Sequence, residues 1–230
     1  MQRRTLIITA LGVAAAVAAL IVFVEFHLGR GRVAVYAFDE RSGKLLWRGS
    51  AQLTQVNWIT GGTSSITLHG AAVGQSTCKE HLVMVTMDAN SGRQTGRVVG
   101  PSAGLRHIKH PWQAPTDAQL NHATSNGVTY QIHDGGPRFA TLDAIDNRTQ
   151  DLVWQRRMAR GDGSPWWALQ VGDGIAVISN GADVYAYDRA RELWHQRTGH
   201  DQTGYTPGIG IIDGHVYVTY GAHDCPASPD

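Results

Sequence analysis

An all-β chain of repeated four-stranded sheets, set behind a single apolar span, is the fold class the sequence predicts. Three observations carry it: an uncharged run near the start, a short Asp-to-Trp phrase written four times, and incomplete strand pairs at the two chain ends, each supplying what the other lacks. At 230 residues with a formal net charge of +1, the chain is long enough for one sizeable core. Its basic residues form no run suited to phosphates, so nucleic acid is not an expected partner.

The apolar run comes first. MQRR precedes TLIITALGVAAAVAALIVFV, residues 5–24, and at about 1.5 Å rise per residue this length covers the roughly 30 Å hydrocarbon core of a bilayer. A secretory signal peptide is the alternative, because Ala16-Val17-Ala18 imitates a cleavage site. Cleavage there would leave the apolar residues 20–24 as a new terminus, so the run reads as an uncleaved signal anchor: one transmembrane helix. Arg3 and Arg4 favour the cytoplasmic side for the short tail. The expectation is a single-pass protein of the cell membrane with its bulk outside the cytoplasm, residues 1–31 forming tail, anchor and linker and residues 32–230 the repeat domain.

The repeat is AFDERSGKLLW at 37–47, matched without a gap by AIDNRTQDLVW at 144–154. TMDANSGRQTG at 86–96 keeps the Asp and Ser-Gly but loses the Trp, and AYDRARELW at 186–194 keeps Asp and Trp with a turn two residues shorter. The aspartates, Asp39, Asp88, Asp146 and Asp188, lie 49, 58 and 42 residues apart, the spacing of a four-stranded unit. VAVYAFD, HLVMVTMD, RFATLDAID and DVYAYD read as strands with one apolar face. Each Asp is expected to close a turn by accepting backbone N–H bonds. The strand after it carries Trp47, Trp154 or Trp194, whose ring can wedge between neighbouring sheets. Since Asp and Trp recur once per unit, they are assigned a structural role and no catalytic one.

The pattern A-x-D-x-x-[ST]-G-x-x-x-W resembles the repeat of the PQQ-like β-propellers, a family that includes quinoprotein alcohol dehydrogenases and the barrel-assembly lipoprotein of Gram-negative outer membranes. The likeness covers roughly residues 32–220 and implies a β-propeller. It does not imply one function, because this repeat serves enzymes, scaffolds and sensors.

On that expectation the strands sort into blades. AQLTQVNWITGG, SSITLHGAAV, HLVMVTMD and RQTGRVVG form one; AQLNHATS, GVTYQIHD, PRFATLDA and DLVWQRRM a second; WALQVGDG, IAVISNG, DVYAYD and ELWHQRT a third. VAVYAFDE and KLLWRGS near the start, with GYTPGIGIIDG and HVYVTYGAHD at the end, then make a closing blade of mixed origin. The result is four blades, or a half-ring that pairs with a second copy of the chain as a homodimer.

Chemistry-bearing residues are sparse. Cys78 and Cys225 fall in loops that adjacent blades present on one face; a disulfide worth about 2 to 4 kcal/mol is one reading and two free thiols the other. His107 and His110 have i, i+3 spacing, but Pro111 interrupts the helix that would align them, and no metal site is expected. Asn147-Arg148-Thr149 fits a glycosylation pattern, yet it lies within the repeat's own turn. The resemblance to quinoprotein dehydrogenases would imply PQQ on a Trp floor beneath a disulfide of adjacent cysteines. No adjacent pair exists in this chain, and its length is about half of theirs, so no catalytic residue, cofactor-binding residue or cofactor is assigned, although Trp58, Trp112 or Trp167 has a ring suited to stacking. The expected role is a protein-interaction, scaffold or sensor module with an unidentified protein partner. The alternative is a small-ligand or quinone-binding propeller.

Overall fold

Each copy of the repeated phrase becomes the hairpin between the last two strand positions of a four-stranded antiparallel sheet. The computed structural model describes residues 32–73, 80–100, 122–134, 139–159, 168–180, 182–198 and 208–221. The expected membrane span, His107, His110, Trp112, Trp167, Cys78 and Cys225 lie outside these residues.

One sheet joins the two ends of the chain. It runs β15-β16-β1-β2, with β1 at Val33–Asp39, β2 at Leu45–Ala51, β15 at Gly208–Ile212 and β16 at His215–Tyr220. The seam between the termini is a continuous antiparallel ladder from Ala34↔Tyr220 to Asp39↔His215. A sheet of mixed origin is thus made within one chain, as the leftover pairs predicted. The second sheet contains β3 (Gln55–Gly61), β4 (Ser65–Val73), β5 (Glu80–Asp88) and β6 (Gln94–Val99) in sequence order. The third contains β7 (His122–Ser125), β8 (Val128–Asp134), β9 (Phe139–Asp146) and β10 (Leu152–Ala159). The fourth contains β11 (Ala168–Gly172), β12 (Ile175–Ser179), β13 (Asp183–Asp188) and β14 (Arg191–Arg197).

Face-to-face packing sets their spatial order. The first strands touch: β15 lies against both β3 and β11, and β11 against β7, while no comparable contact joins the β3–β6 sheet to the β7–β10 sheet among the described residues. Three cores fill the three seams. Val35, Ala37, Trp47 and Tyr217 meet Ile66, Leu68, Val85 and Met87; Tyr36, Phe38 and Val218 meet Val177, Ala186 and Trp194; Leu142, Ala144 and Met158 meet Ile178, Tyr185 and Tyr187.

Two sheets are therefore buried on both faces. β1, β12, β13 and β16 are buried almost without interruption, which corrects the expectation of one apolar face for VAVYAFD and DVYAYD. By contrast β9 alternates between buried and half-buried positions, as does β5 between buried and more open ones, because its sheet has a neighbour on one side only. Deleting residues 208–230 would strip β16 from β1 and leave the middle of a buried sheet as a raw edge. Such a chain should lose its single cooperative unfolding transition in urea; one that still unfolded cooperatively as a soluble monomer would show that the C-terminal strands are dispensable.

Candidate functional site

The repeated residues build the contacts between sheets. At the seam from the shared sheet to the β3–β6 sheet, the Trp47 indole N–H donates to the Ala89 carbonyl at 2.7 Å. Its ring lies on Gly92, where an added Cβ would sit 2.3 Å from a ring carbon. At the seam from the β11–β14 sheet to the shared sheet, Trp194 donates to the Glu40 carbonyl at 2.8 Å, and its ring lies on Gly43 in the same way, at 2.4 Å. Both glycines have φ of +66°, so the turn needs them for its backbone as well as for the space. Trp47 and Trp194 are buried, at 8% and 6% exposure. Trp154 in β10 is only half-buried and meets Tyr130 edge-on at 5.9 Å.

The aspartates hold the turns that receive these rings. Ser42 donates to Asp39 from both its backbone N–H and its hydroxyl, at 2.8 and 2.6 Å. Ser91 does the same for Asp88 at 2.8 and 2.7 Å, and Arg148 and Thr149 donate backbone N–H groups to Asp146 at 2.8 and 2.9 Å. The Ser42 and Ser91 hydroxyl bonds, then the backbone bonds, hold the Asp39 and Asp88 carboxyls below the usual carboxylate range, and backbone bonds from Thr149 and Arg148 do so for Asp146. Asp188 departs from the expected role. Its turn is two residues shorter, and the bond its carboxylate makes is to the Arg191 guanidinium at 3.4 Å.

The whole device is missing between the β3–β6 and β7–β10 sheets, which share no comparable contact among the described residues. The position in β6 that corresponds to Trp47 is Gly96, and the turn of the β7–β10 sheet has Gln150 where Gly43 and Gly92 stand elsewhere. Gln150 keeps the left-handed backbone at φ +63° but is exposed, whereas both glycines are buried. Ring and slot are thus missing together. On the β3–β6 sheet the consequence is a free face whose register row crosses all four strands: Trp58, His69, Met84 and Val98. Trp58, Met84 and Val98 are 53%, 43% and 56% exposed. The Trp58 and His69 rings stack at 5.0 Å, and Thr60 Oγ1 lies 2.8 Å from His69 Nε2. Burial pushes the His69 imidazole below its ordinary pKa, so the row is uncharged near neutral pH. A parallel row holds Thr60, Thr67, Thr86 and Gly96.

The free face of the β7–β10 sheet is different in kind. Asp143 accepts from Gln155 at 2.9 Å and pairs with His133 at 3.3 Å. Thr124 and Thr129 share a hydrogen bond at 3.2 Å, and the Arg157 guanidinium covers the Phe139 ring at 3.6 Å. No group of three or more His, Cys, Asp or Glu suited to a metal ion occurs among the described residues. The sequence reading noted the missing Trp without connecting it to Gln150. Trp58, expected only as a ring suited to stacking, stands at the head of this row.

No protein-family model matches the chain, and no curated protein matches it either.

Four substitutions weigh the lock. Trp47→Ala or Trp194→Ala should destabilise by about 3 to 5 kcal/mol, and Trp154→Ala by clearly less, because its ring is half-exposed. Gly92→Ala should be destabilising although it adds one methyl group, since that group meets the Trp47 ring. Urea unfolding followed by circular dichroism measures all four; equal losses for the three tryptophans would contradict the assignment.

Proposed function

We propose that this chain is a membrane-anchored, extracytoplasmic β-propeller of the PQQ-like repeat type, and that it acts as a protein-interaction or scaffold module. Four sheets in sequence-repeat order, one of them made from both chain ends, support the propeller reading. The uncharged run and basic tail at residues 1–24 support the anchor. The observation that carries the interaction role is the Trp58–His69–Met84–Val98 row: four aligned, uncharged side chains, three of them exposed, on a sheet face where the β1 counterpart of Met84, Val35, is fully buried. Contiguous exposed apolar side chains of this kind mark interaction surfaces more often than ligand chemistry. Flat sheet faces suit a protein partner, whereas a small ligand needs concave walls.

A photo-crosslinking amino acid at Met84 of the full-length protein in its native membrane tests this reading. A discrete protein adduct is expected from position 84, lost when Trp58→Ala is added, and absent from a control probe at the exposed turn residue Gln150. No adduct at position 84, or equal labelling at both positions, would overturn it. The anchor is tested separately by a reporter joined after Asp230, which should be active outside the cytoplasm.

A further inference from the structure

The two complete locks differ at the residue whose carbonyl receives the indole N–H. Aligned on their aspartates, the turn of the β3–β6 sheet presents Ala89 and the turn of the shared sheet presents Glu40. Their backbones do the same work. Ala89 N–H donates to the Ser64 carbonyl at 3.0 Å and its own carbonyl accepts from Trp47; Glu40 N–H donates to the Gly214 carbonyl at 3.0 Å and its own carbonyl accepts from Trp194. An alanine is sufficient for the lock. At the other seam a carboxylic acid takes that place, only 4% exposed, and its Oε1 is enclosed with no hydrogen-bond donor among the described residues.

The surroundings do not compensate that group as an anion. Asp173, in the β11–β12 turn across the seam, opposes its ionisation, as does Asp39 in its own turn; Arg41 in the same turn and His215 at the start of β16 act the other way. The strand β14 presents the neutral Trp194. Burial is the largest influence and, with Asp173 next, pushes the Glu40 carboxyl above the ordinary glutamate range. An ionised Glu40 must recover water, and the turn that would move to let it do so carries the carbonyl on which Trp194 is fastened.

We propose that Glu40 makes the contact between the shared sheet and the β11–β14 sheet a proton-operated latch, closed while the carboxyl is neutral and loosened once it ionises. The sign follows from linkage: a carboxyl whose pKa is higher in the folded state than in the unfolded chain contributes stability that is complete below the unfolded value and is lost as pH rises through the folded value. The Trp47 lock, with Ala89 in the same place, has no such group and serves as an internal reference. Because the latch holds the sheet that joins the two chain ends, it regulates closure of the whole assembly without involving the Trp58 row.

Urea unfolding of the full-length protein in detergent, at intervals from pH 4 to pH 8, tests the latch on wild type, Glu40→Gln, Glu40→Ala and Asp173→Asn. Wild type and Glu40→Gln should agree at pH 4 and diverge upward. By pH 8 the unfolding constant of Glu40→Gln should be clearly smaller than that of wild type. Asp173→Asn should make the divergence smaller and complete it at lower pH. Hydrogen exchange of the Trp194 indole, taken as a ratio to that of Trp47 in the same sample, should rise with pH in wild type and stay constant in Glu40→Gln. A pH-independent difference between wild type and Glu40→Gln, or a constant ratio in wild type, would overturn the proposal. Should Glu40→Gln fail to fold, Glu40→Ala decides by the same criteria.

Discussion

A tryptophan ring laid on a bare glycine, with its indole N–H bonded to a carbonyl of the same turn, is the contact on which the assembly of sheets depends. It solves two problems together. The ring supplies a large apolar area to seal the rim of a seam, and its polar nitrogen, buried in the process, finds an acceptor in the Ala89 or Glu40 carbonyl. The acceptor is available because the preceding aspartate has already fixed the turn with its own carboxylate. Asp39 and Asp88 hold the turns, Gly43 and Gly92 leave room, and Trp194 and Trp47 close on them. Changing any one of the three residue types disturbs the other two.

From this contact follows the division between inner and outer sheets. The shared sheet receives Trp194 on one side and offers Trp47 on the other, so its β1 and β16 strands are buried almost throughout, whereas the outermost β2 keeps exposed positions. The β3–β6 sheet receives Trp47 but offers Gly96, and the β7–β10 sheet offers Trp154 but presents Gln150 where a ring would rest. Their remaining faces have diverged accordingly, one into an uncharged row led by Trp58, the other into a polar network around Asp143. Structural repetition thus stops at the two faces that meet no neighbouring sheet among the described residues.

Much of the fold was legible in the sequence, because a hairpin phrase that recurs with its turn residues intact reports strand order directly. The mixed origin of the closing sheet followed from leftover pairs, and the ladder from Ala34 to Asp39 realises it. What alternation alone did not separate was burial on one face from burial on two. VAVYAF is an unbroken apolar run and HVYVTY keeps three consecutive apolar residues, while VTYQIHD alternates, and that contrast records which sheets have two neighbours. The candidate site was less visible. Register across four strands aligns Trp58 with His69, Met84 and Val98, although 40 residues separate the first from the last, and no local pattern expresses that alignment. Glu40 reads as an ordinary charge in an Asp-Glu-Arg turn; the groups that meet it, Asp173 in the β11–β12 turn and Trp194 in β14, come more than 130 residues later.

The central claim is that the β3–β6 sheet has one locked face and one free face. Met84 and Met87 lie on the same strand, three positions apart, with Met84 43% exposed on the free face and Met87 fully buried at the locked seam. Dilute hydrogen peroxide applied to the purified full-length protein, with sulfoxide formation read at each methionine by mass spectrometry, compares the two faces in one experiment. Met84 should oxidise at a rate close to that of an exposed peptide, and at least about tenfold faster than Met87, whose oxidation must await opening of the seam. Equal protection of the two methionines would contradict the account, since the face taken to be free would then be sealed like the others.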